Sequence, residues 1–296
     1  MEKIPYHRPL LTYNNSYMLS NDKKVRELES NIKELYDVEY AIACSSCSQG
    51  LLLSIHAFYK IIGYSWILNT PAFTWWSIKS ISDILGVKIR YHDINYDTWL
   101  MKYPPFNFFS VPNHTFGNIT ECKGLTIYDG AHALGSKIKD FGYATVFSLA
   151  PTKLITSYEG GIIATNNNEM GEYLTLLRTR LSRMPEASAD FALKSLKSLD
   201  DIKEWKKIVY DHYKKEIPGK FQHFTSGANY NTIGFINENN LKIPEHIEIK
   251  RYYDLIGKMP LDSISWKVRN KIICLPSWFG CPYDQITHNI LEANNL

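Results

Sequence analysis

The 296-residue sequence lacks the glycine-rich signatures that cradle nucleotides. Neither GxxxxGK[ST] nor GxGxxG occurs, which excludes the usual mononucleotide and dinucleotide motifs. No apolar run is long enough to span a bilayer, and Met1-Glu2-Lys3-Ile4-Pro5 has no apolar signal-peptide core. A soluble, cytoplasmic protein with no membrane partner is therefore expected. Cysteine is scarce: five residues, an odd number without secreted-scaffold spacing, fit a reducing compartment. Cys44 and Cys47 have CxxC spacing, but no second ligand pair accompanies them, so no metal site is expected. A net charge of +3 is far from that of a dedicated nucleic-acid binder, and no nucleic-acid partner is expected. What is present is 45% hydrophobic residues, ample for a large core, with 21% charged.

Periodicity predicts alternating helices and strands. Val25, Leu28, Ile32 and Leu35 recur at helical spacing within Asp22 to Tyr36. Tyr40 to Cys44 reads as a strand, Ser45 to Gly50 as a turn of small residues, and Leu51 to Ile62 as a largely apolar helix. Trp66 to Asn69 and Val87 to Tyr91 read as strands around a helix from Trp76 to Leu85 that ends at Gly86. Phe108 to Val111, Leu125 to Tyr128, Thr145 to Leu149 and Gly161 to Thr165 are further short apolar strands. Such alternation predicts an α/β fold with a mainly parallel sheet, in which functional groups collect past the carboxyl ends of the strands. Past Asn168 the chain turns helical and charged, with a break near Met184-Pro185 and a last helix after Pro282. The expected division is a large domain over 1–168, including an N-terminal arm, and a smaller α+β domain over 169–296.

Several strand ends carry reactive side chains. Lys153 follows Phe147-Ser148-Leu149 and precedes Glu159-Gly160-Gly161. Desolvation there lowers a lysine's pKa, and the free amine condenses with aldehydes; a solvated loop lysine is the alternative. Asp129 ends the apolar run Leu125 to Tyr128, where a buried carboxylate needs a cationic partner, such as a pyridinium nitrogen, unless it caps a turn. His132 is placed either to contact a cofactor or to serve as a hydrogen-bonded structural histidine. The turn at Ser46, Cys47 and Ser48 opens a helix, whose N–H groups and dipole favour an anion; Ser148 adds a hydroxyl. A phosphate monoester suits this cup. Among Pro71 to Ser77, Trp75 or a neighbouring aromatic can stack on a flat ring, with core packing the reading preferred for Trp76.

In order along the chain, these blocks resemble the DegT/DnrJ/EryC1/StrS family of pyridoxal-phosphate (PLP) sugar aminotransferases. Ala41 to Ser48 resembles its strand and phosphate turn, and Thr70 to Trp75 its Pro-x-Phe-Thr-aromatic segment. His114 to Asn118, Tyr128 to Gly135 and Phe147 to Gly161 resemble the following blocks, the last containing the Schiff-base lysine. The resemblance implies fold type I, with Lys153, Asp129 and His132 catalytic: Lys153 as Schiff-base lysine and acid/base, Asp129 on the ring nitrogen, His132 beside the phenolic oxygen. Trp75 is implied to stack on the ring, and Ser46, Cys47, Ser48 and Ser148 to bind phosphate. It further implies a homodimer, an amino donor such as glutamate and a nucleotide-linked 4-keto-6-deoxy sugar as acceptor. Cys47 stands where the family usually has glycine. The chain is shorter than is usual for the family between Asp93 and Val111 and in its carboxyl-terminal half. A non-sugar keto or aldehyde acceptor and a non-catalytic binding protein of the same fold are the alternatives. Arg178, Arg180 and Arg183 could anchor a carboxylate or diphosphate, with a solvated helix face preferred for at least two of them.

Overall fold

The computed structural model describes residues 23–63, 67–102, 108–122 and 124–296. Asp22, Trp66 and the N-terminal arm lie outside the described residues. Helix α1 (Lys23–Tyr36) buries Val25, Leu28 and Ile32 along one stripe, whereas Leu35, counted with them by its periodicity, is exposed near the helix end. Strand β1 (Tyr40–Cys44) leads into α2 (Cys47–Ile62), whose N-cap Ser46 accepts a hydrogen bond from the Gln49 N–H. The small residues 47–50, expected as a turn, are therefore the first turn of the helix. Gly50 lets that turn lie on the sheet: a Cβ there would come within 2.7 Å of Val146 Cγ1.

Next come β2 (Ile67–Pro71), β3 (Phe73–Thr74), α3 (Ser77–Leu85) and β4 (Lys88–His92). After them come β5 (Ile127–Gly130), β6 (Ala144–Ser148) and β7 (Gly161–Thr165). The segment expected as a strand over Phe108 to Val111 narrows to a parallel bridge at Ser110, between Asn69 and Thr126, and Phe108 is exposed. Backbone bonds on both sides, from Asn69 N to Phe109 O and from Ile127 N to Ser110 O, stitch it into the sheet. The sheet thus runs β4, β2, the Ser110 segment, β5, β6, β7, β1. It is parallel from β4 through to β6, and β7 is antiparallel to both β6 and β1. The mainly parallel sheet expected from the alternation is what the chain forms.

That polarity positions the site. Gly161 opens β7 opposite Cys44 and Ser148, the last residues of β1 and β6. The carboxyl ends of β1, β5 and β6 therefore share one edge. Helix α2 packs beneath them through Leu51, Ile55 and Phe58 in a core with Val146, Ile163 and Met170.

The second half begins with α4 (Asn168–Leu181), α5 (Glu186–Leu196) and α6 (Leu199–Glu216), with the expected break at Met184-Pro185 between the first two. It continues through β8 (Lys220–Phe221), β9 (Ile233–Ile236), β10 (Asp254–Leu255), α7 (Ile264–Lys271), β11 (Ile272–Leu275) and α8 (Tyr283–Glu292). The order β11-β9-β8 makes an antiparallel sheet, with a core of Val209, Tyr213, Phe235, Leu275 and Ile286. Strand β10 leaves this unit and pairs antiparallel with β3, carrying residues 252 and 253 to the edge where β5 and β6 end. Among the described residues, no helix is long and apolar enough to cross a membrane.

Candidate active site

A cavity of about 230 Å³ opens at the carboxyl ends of β1, β5 and β6. Ser46, Cys47, Ser48, Trp75, Asp129, His132, Ser148 and Lys153, every site residue chosen from the sequence, line it together. Sequence reasoning missed Ser77, Thr152, Tyr252 and Tyr253, which also line it. The two tyrosines come from a segment with no periodic signal, and the β3–β10 pairing that delivers them joins residues far apart in the chain.

Lys153 sits in the loop between β6 and β7, which is closed by its own backbone. Leu149 N donates to Gly160 O, Ser157 N to Leu149 O and Lys153 N to Ala150 O. The next residue is held from outside, by Leu154 N donating to Asn231 Oδ1 at 3.0 Å. Burial pushes the Lys153 ammonium down to about 8, against the opposing pull of Cys47 and Asp129. A useful fraction is then free amine at neutral pH.

Asp129 is 3% exposed and accepts one bond, from Ala131 N at 3.0 Å. Burial lifts its carboxyl to about 6, opposed by that N–H and by the Lys153 charge. A carboxylate here without a full cationic partner is the state that a pyridinium nitrogen would relieve. His132 stacks on Tyr253 (centroids 5.4 Å, planes 7° apart), with Nδ1 3.2 Å from the Tyr253 hydroxyl. Burial, reinforced by the charges of Lys153 and Lys206, holds it well below the usual histidine range, so the ring is neutral. Its Nε2 is buried with no hydrogen-bond partner among the described residues. A buried polar atom is rarely left so, and one beside a cavity suits a ligand oxygen.

At the other end of the cavity, α2 begins. The Ser46 hydroxyl is engaged as its cap, which leaves the first N–H groups of the helix and the Ser48 side chain facing the opening. Ser48 Oγ is 2.9 Å from Ser77 Oγ at the start of α3, and Ser148 Oγ accepts from Ala150 N at 3.3 Å. Gly161 makes the cup possible: a Cβ there would sit 2.7 Å from Cys47 N and 2.6 Å from the Ser46 carbonyl carbon. Gly161→Ala is expected to push this turn away, costing about 1–3 kcal/mol of stability and weakening phosphate-ester binding tenfold or more. Thermal denaturation and a cofactor titration would read the two effects.

Trp75 and Trp76 are both half-exposed. Trp75 lines the cavity, 6.2 Å from the Tyr252 ring. Trp76 is not core, contrary to expectation; it stands at the N-cap of α3, where its side chain points away from the packed face. Of the three arginines, only Arg180 lies on an exposed helix face; Arg183 is exposed but lies past the end of α4, and Arg178, on α4, pairs with Glu29 at 3.1 Å.

A buried network braces the site from behind. Asn229 donates from Nδ2 to the carbonyls of His132 (2.9 Å) and Leu134 (2.8 Å) and accepts from Asn231 N. Lys206 donates to Asn231 O at 2.7 Å and Ser277 Oγ at 2.9 Å. Asn229→Ala removes three buried bonds and is expected to cost about 2–4 kcal/mol, read as a lowered midpoint in denaturant at unchanged slope.

The sequence model of the DegT/DnrJ/EryC1/StrS aminotransferase family matches residues 8–104 and 115–230. The chain belongs to this family. Its sequence is 27% identical over 243 residues to a UDP-4-amino-4,6-dideoxy-N-acetyl-beta-L-altrosamine transaminase of Campylobacter jejuni, covering 68% of this chain and 63% of that protein. The chain thus spans less than two thirds of that relative's length. Among solved structures, Helicobacter pylori PseC, an aminotransferase involved in the biosynthesis of pseudoaminic acid, matches with a TM-score of 0.82. Identity is 19%, and 99% of each chain is covered. The PMP form of the Streptococcus pneumoniae protein Spr1654 matches with a TM-score of 0.84 at 17% identity, covering 99% of this chain and 98% of that one. The DegT family member therefore has the fold type I arrangement expected from its sequence.

Proposed function

We propose that this chain is a PLP-dependent aminotransferase that moves an amino group, from a donor such as glutamate, to a nucleotide-linked 4-keto-6-deoxy sugar. One observation carries the reading: a lysine amine held near pKa 8 and a buried carboxyl face the same cavity, with a helix N-terminus and serine hydroxyls at its far end. That donor set matches the aldehyde, ring nitrogen and phosphate of PLP. The name of the Campylobacter relative, a transaminase of a UDP-linked dideoxy amino sugar, supports the acceptor class.

PLP, when bound, supplies an aldehyde and an electron-poor ring that stabilises negative charge on the substrate carbon. The chain's residues do the rest. Lys153, its amine at the cavity, would hold the cofactor through its Nζ and, when free, would move a proton at that atom. Asp129 would hold a proton on the ring nitrogen, and the neutral His132 would offer its Nε2, which has no partner among the described residues, to a ligand oxygen. Ser46, Cys47, Ser48 and Ser148 form the phosphate cup, and Trp75 offers a flat face at the mouth.

Dehydratases share this fold: the Escherichia coli GDP-4-keto-6-deoxy-D-mannose-3-dehydratase matches with a TM-score of 0.81. That branch resembles the family but has histidine in place of the lysine, so Lys153 favours transamination. The further parts of the reading are a division into a large domain over 1–168 and a smaller one over 169–296, a cytoplasmic location and a homodimer. Incubating the protein with PLP, glutamate and a panel of nucleotide-linked 4-keto sugars tests the whole. Amino-sugar product is expected; transfer only to non-sugar carbonyls would overturn the substrate assignment.

A further inference from the structure

The resemblance assigns no role to Tyr252, yet its hydroxyl reaches the reactive amine. Lys153 Nζ is 3.4 Å from Tyr252 Oη, placed to donate to it, and 5.0 Å from the ring centroid. The same Oη is hydrogen-bonded to Thr152 Oγ1. The Tyr252 ring stands edge-on to His132, with centroids 4.9 Å apart. Its backbone is fixed on both sides. Lys250 pairs with Cys274 in both directions, and Ile256 N donates to Ala72 O past the β10–β3 ladder.

A phenol carries one proton and two lone pairs, so it can serve both forms of an amine. When Lys153 is an ammonium, Oη accepts from it and gives its own proton to Thr152. When Lys153 is neutral, Oη can turn and donate to the nitrogen. The other titratable groups facing the cavity are Cys47 at the start of α2, Asp129 and His132 on and after β5, Tyr253 beside Tyr252, and Glu159 on the cavity wall. Of these, Cys47 and Asp129 strengthen the amine's hold on a proton, and burial weakens it.

We propose that Tyr252 is a positioning residue for Lys153: its hydroxyl, oriented by Thr152, lodges the lysine nitrogen whenever that nitrogen is not bonded to the cofactor. This rests on the role proposed above for Lys153. It assigns the contact that keeps the released amine beside the substrate carbon, where the proton must be moved.

The test begins on cofactor-free protein. Labelling of Lys153 by acetic anhydride across pH 6–10, followed by peptide mass spectrometry, reads the midpoint of the free amine. The wild-type midpoint is expected near 8. The bond from the ammonium is charge-assisted and stronger than the one to the neutral amine, so Tyr252→Phe, which keeps the ring but loses the hydroxyl, should lower the midpoint by about one pH unit. Thr152→Val, which leaves the ring untouched, should give a smaller fall in the same direction and carries the test should the Phe variant not fold. In the loaded protein, Tyr252→Phe should lower kcat about tenfold and leave the KM for the amino donor within about twofold. A midpoint unmoved in both variants overturns the proposal. A lowered midpoint in a protein that never takes up PLP upholds the contact and removes the proposed function instead.

Discussion

Replacing Lys153 with alanine is expected to abolish turnover, with kcat reduced at least about a thousandfold, and to eliminate the visible absorption band that the wild type develops with PLP. The cavity retains its serine cup, Asp129 and Trp75, so non-covalent binding of the phosphate ester should persist at reduced affinity. Stability should hold or rise, because burial holds the Lys153 ammonium down to about 8 and its removal relieves that cost. Lys153→Arg separates charge from nucleophilicity. A guanidinium stays protonated and cannot condense with an aldehyde, so this variant should fail as completely as the alanine one. Residual activity in the arginine variant would mean that the position supplies only positive charge. Absorbance spectra and single-turnover assays with an amino donor read both outcomes.

Asp129→Asn should lower activity nearly as much, yet raise the stability of the cofactor-free protein at neutral pH. The folded carboxyl binds its proton more tightly than the unfolded one, at about 6 against a reference of 3.8. A raised acid costs stability as pH climbs from about 4 to 6, and the cost stays constant above that. At neutral pH the penalty is about 3 kcal/mol at most. An amide keeps the bond from Ala131 N and carries no charge, so the variant should be about 1–3 kcal/mol more stable at pH 7. At pH 4, where the acid is itself protonated, the gain should vanish. Activity should fall by about a hundredfold to ten thousandfold, because a neutral amide does not hold a proton on a pyridine nitrogen. Denaturant melts at the two pH values, set beside steady-state rates, check the opposed signs. An asparagine variant as active as wild type would remove Asp129 from the chemistry.

Much of this was legible in the sequence because the relevant signals are local. Strand β7 was read with its observed bounds over Gly161 to Thr165, since a run of apolar residues between glycines and a polar turn has few other solutions. The eight chosen site residues meet at one cavity because a mainly parallel sheet brings the carboxyl ends of β1, β5 and β6 to one edge. The start of α2 was misread because Cys47 to Gly50 have turn-like composition, and only the Ser46 cap and the close approach to Val146 mark them as helix. Phe108 to Val111 shrank to a bridge at Ser110, since one apolar stretch carries no count of its ladder partners. Tyr252 and Tyr253 were beyond reach. Two strand residues, Phe73 and Thr74, pair with Asp254 and Leu255 across most of the chain, and no periodicity announces so short a ladder. The same holds for Asn229 and Asn231, polar residues in an irregular stretch whose buried bonds appear only once α6 and β5 are packed.

The most direct examination of the site is chemical. Protein incubated with PLP, reduced with borohydride and digested should yield one dominant modified peptide, with the phosphopyridoxyl group on Lys153. The same treatment of the Asp129→Asn variant should still modify that residue, to a lesser extent. Label spread over surface lysines, or concentrated on another residue such as Lys206, would contradict the assignment of this cavity as the cofactor site.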